Sequence, residues 1–394
     1  NNYLLFGGFI FYDIYQQLIR KGWINLYTIL ITYYEKLNIL KACLEQINQF
    51  YHENTNFNVL IVNDNDEVKL DTLISAKDFL FDLTIKNVNT NKGYGGAINY
   101  ASKFISTEFI ILMDSDIMVS SNWLNELYAT YERFENVGCV GAKIYNMTDS
   151  TLLYYGLLNS DTEIIKPFLG SSIAHSYCEY DLECQLVPSG VLLIKKSLFV
   201  QVNCFDAEMY NAYLDLDLAM KLNALGYKNY VSTKCVVYHR GTVSGTIRHS
   251  FHAHAKALFF SKWTQQLENK GIDFFETQIK NLPQHISSDL MIFDFTNTPN
   301  SSLYTSIIKK IMNNKSIKTT KMRHNKNGTL FINDYLSPDI CRYQLPFIYL
   351  VNDFRVIKNN HFWFSNRNNN NDIVIDIHGN IVKNVNNKMK EVCL

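Results

Sequence analysis

The chain is poor in proline, with six in 394 residues, and it has no net charge, since 37 lysines and arginines balance 37 aspartates and glutamates. That balance removes the usual electrostatic footprint of a nucleic-acid binder and leaves at most a local basic patch. No C-x-x-C pair occurs among Cys43, Cys139, Cys178, Cys184, Cys204, Cys235, Cys341 and Cys393. Their even number allows pairing, but their scatter reads as small core residues in a reducing, cytoplasmic compartment. No G-x-G-x-x-G fingerprint and no Walker A loop is present, which argues against a dehydrogenase or a P-loop enzyme. No internal repeat is visible. The apolar stretch Tyr3–Tyr12 is followed at once by Asp13. It is far short of the roughly 20 residues that span a bilayer. Without a basic segment before it, it does not read as a signal peptide. A segment packed on the main domain is the simpler expectation, and peripheral membrane contact stays open. The first residue is Asn1 rather than Met, so a longer protein with upstream domains is an expectation too.

Apolar material is plentiful. Hydrophobic residues make up 47% of the chain and charged residues 19%, enough for a substantial core. "LYTILIT" (Leu26–Thr32) reads as a buried strand, and Leu37, Leu40, Leu44 and Ile47 follow at the spacing of an amphipathic helix. Further strands are expected over Phe57–Asp66, Asp82–Asn89 and Phe109–Met113, with a helix from about Ala97 and another over Trp123–Phe134. Gly138–Tyr145 reads as a strand, Thr148–Cys184 as irregular loops over the site, and Val187–Phe199 as a strand entering a helix. Tyr213–Leu225 reads as a helix capped by Gly226, followed by a strand ending near His239 and a helix over Phe251–Asn269. After about Pro283 the composition shifts. Strands are expected at "DLMIFDF", "GTLFIND" and "DIVIDIHGNIV", a helix at Leu303–Met312, and a solvated loop at Asn366–Asp372. Alternating strands and helices predict an α/β fold: a Rossmann-like, mostly parallel central sheet flanked by helices, with a smaller C-terminal α+β extension. Ligands in such sheets sit beyond the carboxyl ends of the strands.

Four clusters fall on that edge. Asp64 ends the second strand, where a carboxylate can accept from a nucleobase N–H or cap the next segment. Asn91–Asn99 carries Gly93, Gly95 and Gly96, which permit either a tight turn or close approach of backbone to a phosphate. Asp114 and Asp116 follow an apolar strand. They suit a hard divalent cation, which offsets the cost of bringing two carboxylates together, or else a solvated turn. Asp215 and Asp217 sit two residues apart on one helix and so point in different directions. Either could be a general base. His239, at a strand end, is a metal ligand or a structural histidine.

In this order the motifs resemble glycosyltransferase family 2, the inverting enzymes of the GT-A fold, over about Tyr27 to Gly245. "VLIVNDND" is similar to the second-strand signature. "NKGYGGAINYA" is similar to the glycine block of members that transfer rhamnose or galactofuranose. "ILMDSDIMV" resembles the DXD motif, and "YLDLDLAMKLNALGYK" the Glu-Asp-x-Asp-Leu block, with Asp206 in an upstream Phe-Asp pair and "VVYHRGTVSG" as the closing strand. Leu214 stands in the glutamate column, Tyr34 or Glu35 where asparagine is usual, and Cys204 where glycine is usual before Phe-Asp.

The resemblance implies that Thr32, Asp64, Asn91, Gly93, Gly96, Asn99, Asp114, Ser115 and Gly190 contact a nucleoside diphosphate sugar (UDP- or dTDP-linked). It implies that Asp114, Asp116 and His239 hold Mn2+ or Mg2+, and that Asp215 is the base toward a glycan or glycoconjugate hydroxyl. The expected organisation is a leader or linker over 1–25, a catalytic domain over 26–250, a helical connection over 251–285 and an accessory region over 286–394. A nucleotidyltransferase would need a basic glycine-rich loop near the N-terminus, which Thr32–Leu37 lacks. A non-catalytic sugar- or nucleotide-binding module would have lost the base.

Overall fold

A computed structural model describes residues 26–51, 57–148, 150–160, 163–166, 181–240, 247–268, 289–297, 316–322, 330–336, 340, 346–367, 369–378, 380–383 and 385. The expectations for Tyr3–Tyr12 and Leu303–Met312, and Cys178, Cys341 and Cys393, lie outside the described residues. The chain divides into two compact units, one of Asn1–Leu157 with Gly170–Leu267, the other of Leu158–Leu169 with Glu268–Leu394.

In the first unit β1 (Tyr27–Tyr33), β2 (Phe57–Asn63), β3 (Asp82–Asn87) and β4 (Phe109–Met113) pair in parallel in the order β4-β1-β2-β3. All five residues of β4 are buried, as expected of a parallel strand covered on both faces. β5 (Ile117–Val119) follows, then β6 (Val137–Asn146), β7 (Leu152–Tyr154), β10 (Leu182–Glu183), β11 (Val191–Lys195) and β12 (Lys228–His239); the intervening β8 and β9 belong to the second unit. β11 runs antiparallel between β4 and β6, and β12 runs parallel to β6. The sheet is therefore mixed at this point, while β1, β2, β3, β4, β6 and β12 share one direction. Thr148–Cys184 was expected to be irregular, yet its described residues include short strands, because Leu152 and Tyr154 pair back onto β6.

Helices cover the sheet. α1 (Leu37–Gln49) buries Leu40, Cys43, Leu44 and Ile47. α2 (Gly93–Ala101) begins four residues before the expected Ala97, because Gly93 adopts the left-handed φ of 69° from which the helix starts. α3 (Trp123–Arg133) packs on β12 and β6. α4 (Lys196–Gln201) follows β11, α5 (Leu214–Ala224) precedes β12, and α6 (Ile247–Trp263) belongs to this same unit. Tyr213 packs on Phe259 of α6 with ring centroids 5.3 Å apart, so α6 is part of this core rather than a separate connection.

The second unit holds β8 (Leu158–Ser160) paired with β9 (Glu163–Ile165), and a sheet of β13 (Asp289–Asp294), β14 (Ser316–Lys321), β15 (Phe347–Val351), β16 (Ile373–Asp376) and β17 (Ile381–Lys383). Its order is β14-β13-β15-β16-β17, parallel except for β17. Two short helices, α7 (Arg355–Asn359) and α8 (His361–Asn366), lie between β15 and β16. The described residues of "GTLFIND", 330–334, do not form the expected strand. Ile332–Asp334 is a 3-10 turn, held because Asn360 Oδ1 accepts from the Ile332 amide at 2.7 Å. The loop expected to be solvated at Asn366–Asp372 is pinned at both ends, because Arg367 and Asp372 form a fully buried ion pair. The guanidinium lies 3.7 Å from the centroid of the Phe347 ring, and Tyr349 donates to the same carboxylate.

Candidate active site

A cavity of about 280 Å³ opens at the carboxyl ends of β1, β2 and β4. Thr32, Asp64, Asn91, Gly93, Asp114, Ser115, Asp116, Asp215 and His239 all line it. Residues singled out from six separate stretches of sequence thus converge on one space.

Pairing of strands builds one wall. The main chain turns after β4, where the Asp114 amide donates to the Gly190 carbonyl and Ile117 N to the Asp114 carbonyl. β5 then pairs antiparallel with β12, which sets His239 opposite Ile117. This register brings His239 Nε2 to 3.3 Å from Asp116 Oδ1. Ligand atoms of Asp114, Asp116 and His239 all lie within 4.8 Å of one another. Two carboxylates and an imidazole at that spacing fit a divalent cation that takes oxygen and nitrogen donors, such as Mg2+ or Mn2+.

Another part of the lining is the first turn of α5. Asp215 Oδ2 accepts from the Ser189 amide at 2.9 Å, and its Oδ1 from the Leu216 amide at 3.0 Å. These bonds fix a half-buried carboxylate that still lines the cavity. Asp217, two residues further round the helix, is fully buried. It pairs with Lys221 Nζ at 2.9 Å and accepts from Trp263 Nε1 at 2.9 Å. Lys262 bridges Asp217 and Asp206. Burial would raise the Asp206 carboxyl, but the hydrogen bonds from Lys262 and the Glu208 amide and the charges of Lys262 and Lys221 together outweigh it and hold the group below its ordinary value. Of the two acids on this helix, one faces the cavity and the other locks α6 onto α5.

The floor comes from β2 and the glycine block. Asp64 Oδ1 accepts from the Lys92 amide at 2.8 Å. Burial pushes its carboxyl up to about 6, against the pull of the Lys92 and Gly93 amides. Gly93 cannot be replaced without cost, since a Cβ there would stand 2.6 Å from the Tyr210 ring. Tyr210 Oη donates to Asn91 Oδ1 at 2.8 Å, and the Tyr94 amide donates to Asn211 Oδ1 at 2.6 Å. Tyr210 and Tyr213 both take positive φ, 55° and 60°. Such backbone is costly for tyrosine, and strain of this kind gathers at ligand sites.

Three expected donor contacts are absent from the lining. Asn99 instead binds both polar groups of the Phe205 main chain, at 2.8 and 3.0 Å. A Cβ on Gly96 would meet Lys92 at 2.8 Å, and one on Gly190 would meet Ile144 at 2.7 Å. These residues shape the wall from behind. Conversely Tyr34, Glu35, Tyr94, Ser189, Tyr210, Asn211, Ala212, Tyr213 and Leu214 line the cavity without having been singled out as ligand contacts. Tyr94 stands inside the glycine block and Ser189 beside Gly190, so both lay next to residues already chosen. Nothing in the local pattern marked Tyr210–Tyr213. One hydroxyl of a lining residue, Thr32 Oγ1, is buried without a hydrogen-bond partner among the described residues. Buried polar atoms are rarely left so unless a ligand or water completes them.

Residues 28–178 match the family model described as glycosyl transferase family 2. The chain is 28% identical over 243 residues to the uncharacterized protein y4gI of Sinorhizobium fredii, across 56% of this chain and 25% of that protein. It is 23% identical over 210 residues to a teichoic acid poly(glycerol phosphate) polymerase of Staphylococcus epidermidis, across 53% of this chain and 26% of that protein. The chain thus spans about a quarter of each of these relatives. Among solved structures it is similar to GalNAc-T7 with UDP, GalNAc and Mn2+, with a TM-score of 0.49 and 13% identity over 74% of this chain and 55% of that one. The family 2 segment ends before β11 and α5, so it contains Asp64, Asn91, Asp114 and Asp116 but neither Asp215 nor His239. Among the described residues no helix is long and apolar enough to cross a membrane.

Proposed function

We propose that the first unit is an inverting glycosyltransferase that moves a sugar from a nucleoside diphosphate sugar to a hydroxyl of a glycan or glycoconjugate. The observation that carries this reading is a single cavity lined both by Asp114, Asp116 and His239, which are spaced to hold a cation, and by Asp215, a carboxylate outside that cluster. An in-line displacement needs one group to neutralise the leaving group and another to take the proton of the attacking oxygen, and the cluster and Asp215 would supply one each. The strained Tyr210–Tyr213 segment and the glycine turn enclose the space between.

Asp64 would accept from an N–H of a uracil or thymine base. Asn91 and the Gly93 turn allow the donor to approach the backbone. Asp114, Asp116 and His239 would hold a Mn2+ or Mg2+ ion, which would supply charge neutralisation for a departing diphosphate. Asp215, oriented by the Ser189 amide, takes the proton from the acceptor hydroxyl. With one displacement the anomeric configuration inverts. Leu214, in place of the usual glutamate, presents an apolar surface beside the base and packs against Gly95, which points to an acceptor contact less polar than the family pattern.

A thermal-shift screen of UDP-, dTDP- and GDP-sugars with Mn2+ tests the reading, because a ligand that binds only the folded state raises its stability. A rise with at least one nucleotide sugar is expected, and no response to any of them would refute the proposal.

A further inference from the structure

α2 opens with four main-chain amides that no carbonyl of its own helix can reach. Each has a partner outside the helix. The Lys92 amide donates to Asp64 Oδ1 at 2.8 Å and the Gly93 amide to Asn91 Oδ1 at 2.9 Å. The Tyr94 amide donates to Asn211 Oδ1 at 2.6 Å and the Gly95 amide to the Tyr210 carbonyl at 3.1 Å. The N-terminus of the glycine block is therefore closed by protein groups, and its amides are not available to cradle a phosphate directly. Two of those partners, Asn91 and Asn211, are carboxamides that line the cavity. A main-chain N–H can only donate, so the atom it meets is the carboxamide oxygen, and the amino group lies on the other branch. Asn91 Oδ1 also takes the Tyr210 hydroxyl. Asn211 Nδ2 is neither buried nor hydrogen-bonded to a described residue. What Asn211 can offer to a ligand is thus an N–H.

The rest of the lining makes such groups scarce. Among the described residues it carries the carboxylates of Glu35, Asp64, Asp114, Asp116 and Asp215 and no lysine or arginine. That surface accepts readily from sugar hydroxyls and from a base N–H. An anionic diphosphate needs the reverse. A cation on the Asp114 cluster would meet some of its oxygens, and the others need N–H or O–H groups. Resting on the glycosyl-transfer reading, we propose that Asn211 Nδ2 donates a hydrogen bond to a phosphoryl oxygen of the sugar nucleotide's diphosphate. Asn211 is thus a binding residue that the glycine block orients. The bond from the Tyr94 amide does two things. It fixes the plane of the carboxamide, and it polarises it so that Nδ2 donates more strongly, since hydrogen bonds in a chain reinforce one another. The N-terminus of α2 acts on the diphosphate through Asn211 rather than by direct contact. Asn211 stands four residues before Asp215, so one segment carries a group for the diphosphate and the base for the attacking hydroxyl.

The test uses the full chain with Asn211→Asp and Asn211→Ala. Aspartate loses the amino group but keeps an oxygen for the Tyr94 amide, at a helix N-terminus where negative charge is favoured. Alanine loses both groups and adds no charge. Asn211→Asp should unfold at the wild-type temperature or above it, and Asn211→Ala below it through loss of the cap. Each protein is titrated in Mn2+ with UDP, dTDP and GDP and with uridine, thymidine and guanosine. UDP-glucose, UDP-N-acetylglucosamine, dTDP-rhamnose and GDP-mannose follow. For whichever diphosphate binds wild type, affinity should fall by about tenfold or more in both variants, the worth of a hydrogen bond to a charged group. Affinity for the matching nucleoside should stay within about twofold, because it lacks the atom that Asn211 bonds. The sugar nucleotide should lose the same factor as its diphosphate. An unchanged ratio of diphosphate to nucleoside affinity in Asn211→Ala would reduce Asn211 to a helix cap and overturn the proposal. A loss in Asn211→Ala that Asn211→Asp does not share would trace to the cap and overturn it as well, as would a loss confined to the sugar nucleotides. Glycosyl transfer would stand in all three cases. Failure of wild type to bind any of these nucleotides would overturn both.

Discussion

The indole N–H of Trp263 donates to Oδ1 of Asp217 at 2.9 Å, and Lys221 and Lys262 flank the same carboxylate. Asp217 is therefore a structural anion, while Asp215, two positions earlier on the helix, lines the cavity. The two acids should separate cleanly by substitution. Asp215→Asn is expected to lower donor turnover by about 10²–10⁴-fold with little change in unfolding temperature. Asp217→Asn should destabilise the unit by about 1–3 kcal/mol, because it removes the buried charge with which the half-buried Lys221 and Lys262 pair. Urea unfolding beside a hydrolysis assay measures both. Full turnover in Asp215→Asn would move the base elsewhere.

Metal binding should depend on residues from both ends of the unit. Asp116→Ala and His239→Ala are each expected to weaken Mn2+ affinity by at least about ten- to a hundredfold, the loss seen even for residues that merely support metal ligands. Chelation should abolish turnover and Mn2+ should restore it. Isothermal titration with Mn2+ alone reads the first effect. Unaltered affinity in both variants would exclude this cluster as the ion site.

Asp64 sets up an opposition between stability and binding. Its carboxyl rises from an ordinary 3.8 to about 6 in the folded chain, so the folded state favours the protonated form. The contribution of Asp64 to stability is therefore most favourable below about pH 4 and is lost as pH rises through about 6. Asp64→Asn cannot ionise, and at pH 8 it should unfold about 2–4 °C above wild type for each kcal/mol regained. Nucleotide affinity should move the other way. In wild type it should fall as pH drops through about 6 and the acceptor protonates, whereas the variant should bind weakly at all pH. Scanning calorimetry and nucleotide titration across pH 5–8 check both signs.

Gly93→Ala tests the glycine turn. The left-handed φ of 69° and a Cβ only 2.6 Å from the Tyr210 ring penalise alanine twice. A destabilisation of about 1–3 kcal/mol is expected, together with weaker nucleotide binding as Tyr210 shifts from Asn91. Relieving the ring with Tyr210→Ala in the same chain should recover part of the stability and none of the hydrogen bond to Asn91. If Gly93→Ala matches wild type in urea and in titration, the turn is not held as described.

The amino-acid sequence by itself determined the sheet of the first unit and the acids on its edge. Runs such as Phe109–Met113 are apolar throughout because a parallel strand is buried on both faces, and Asp64, Asp114 and Asp116 can stand only where such a run reaches the edge. It also determined that Asp215 and Asp217 differ, since each residue turns a helix by about 100°, but not which of them the cavity receives. That choice came from α6, whose Trp263 and Lys262 reach Asp217 from a distant part of the chain. Tertiary structure likewise decided the neighbour of His239, through the pairing of β5 with β12, and drew Gly96, Asn99 and Gly190 behind the wall. It also separated the two units in their chemistry. At the carboxyl ends of the second sheet, Asp294 binds the Thr296 amide and hydroxyl, and Asp376 binds the His378 and Asn380 amides. Those acids cap their own turns, whereas Asp114, Asp116 and Asp215 line a cavity. The local pattern of apolar run followed by acid is alike in both units. What differs is whether another segment folds over to make a second wall, and that depends on contacts between distant residues, which local periodicity does not carry.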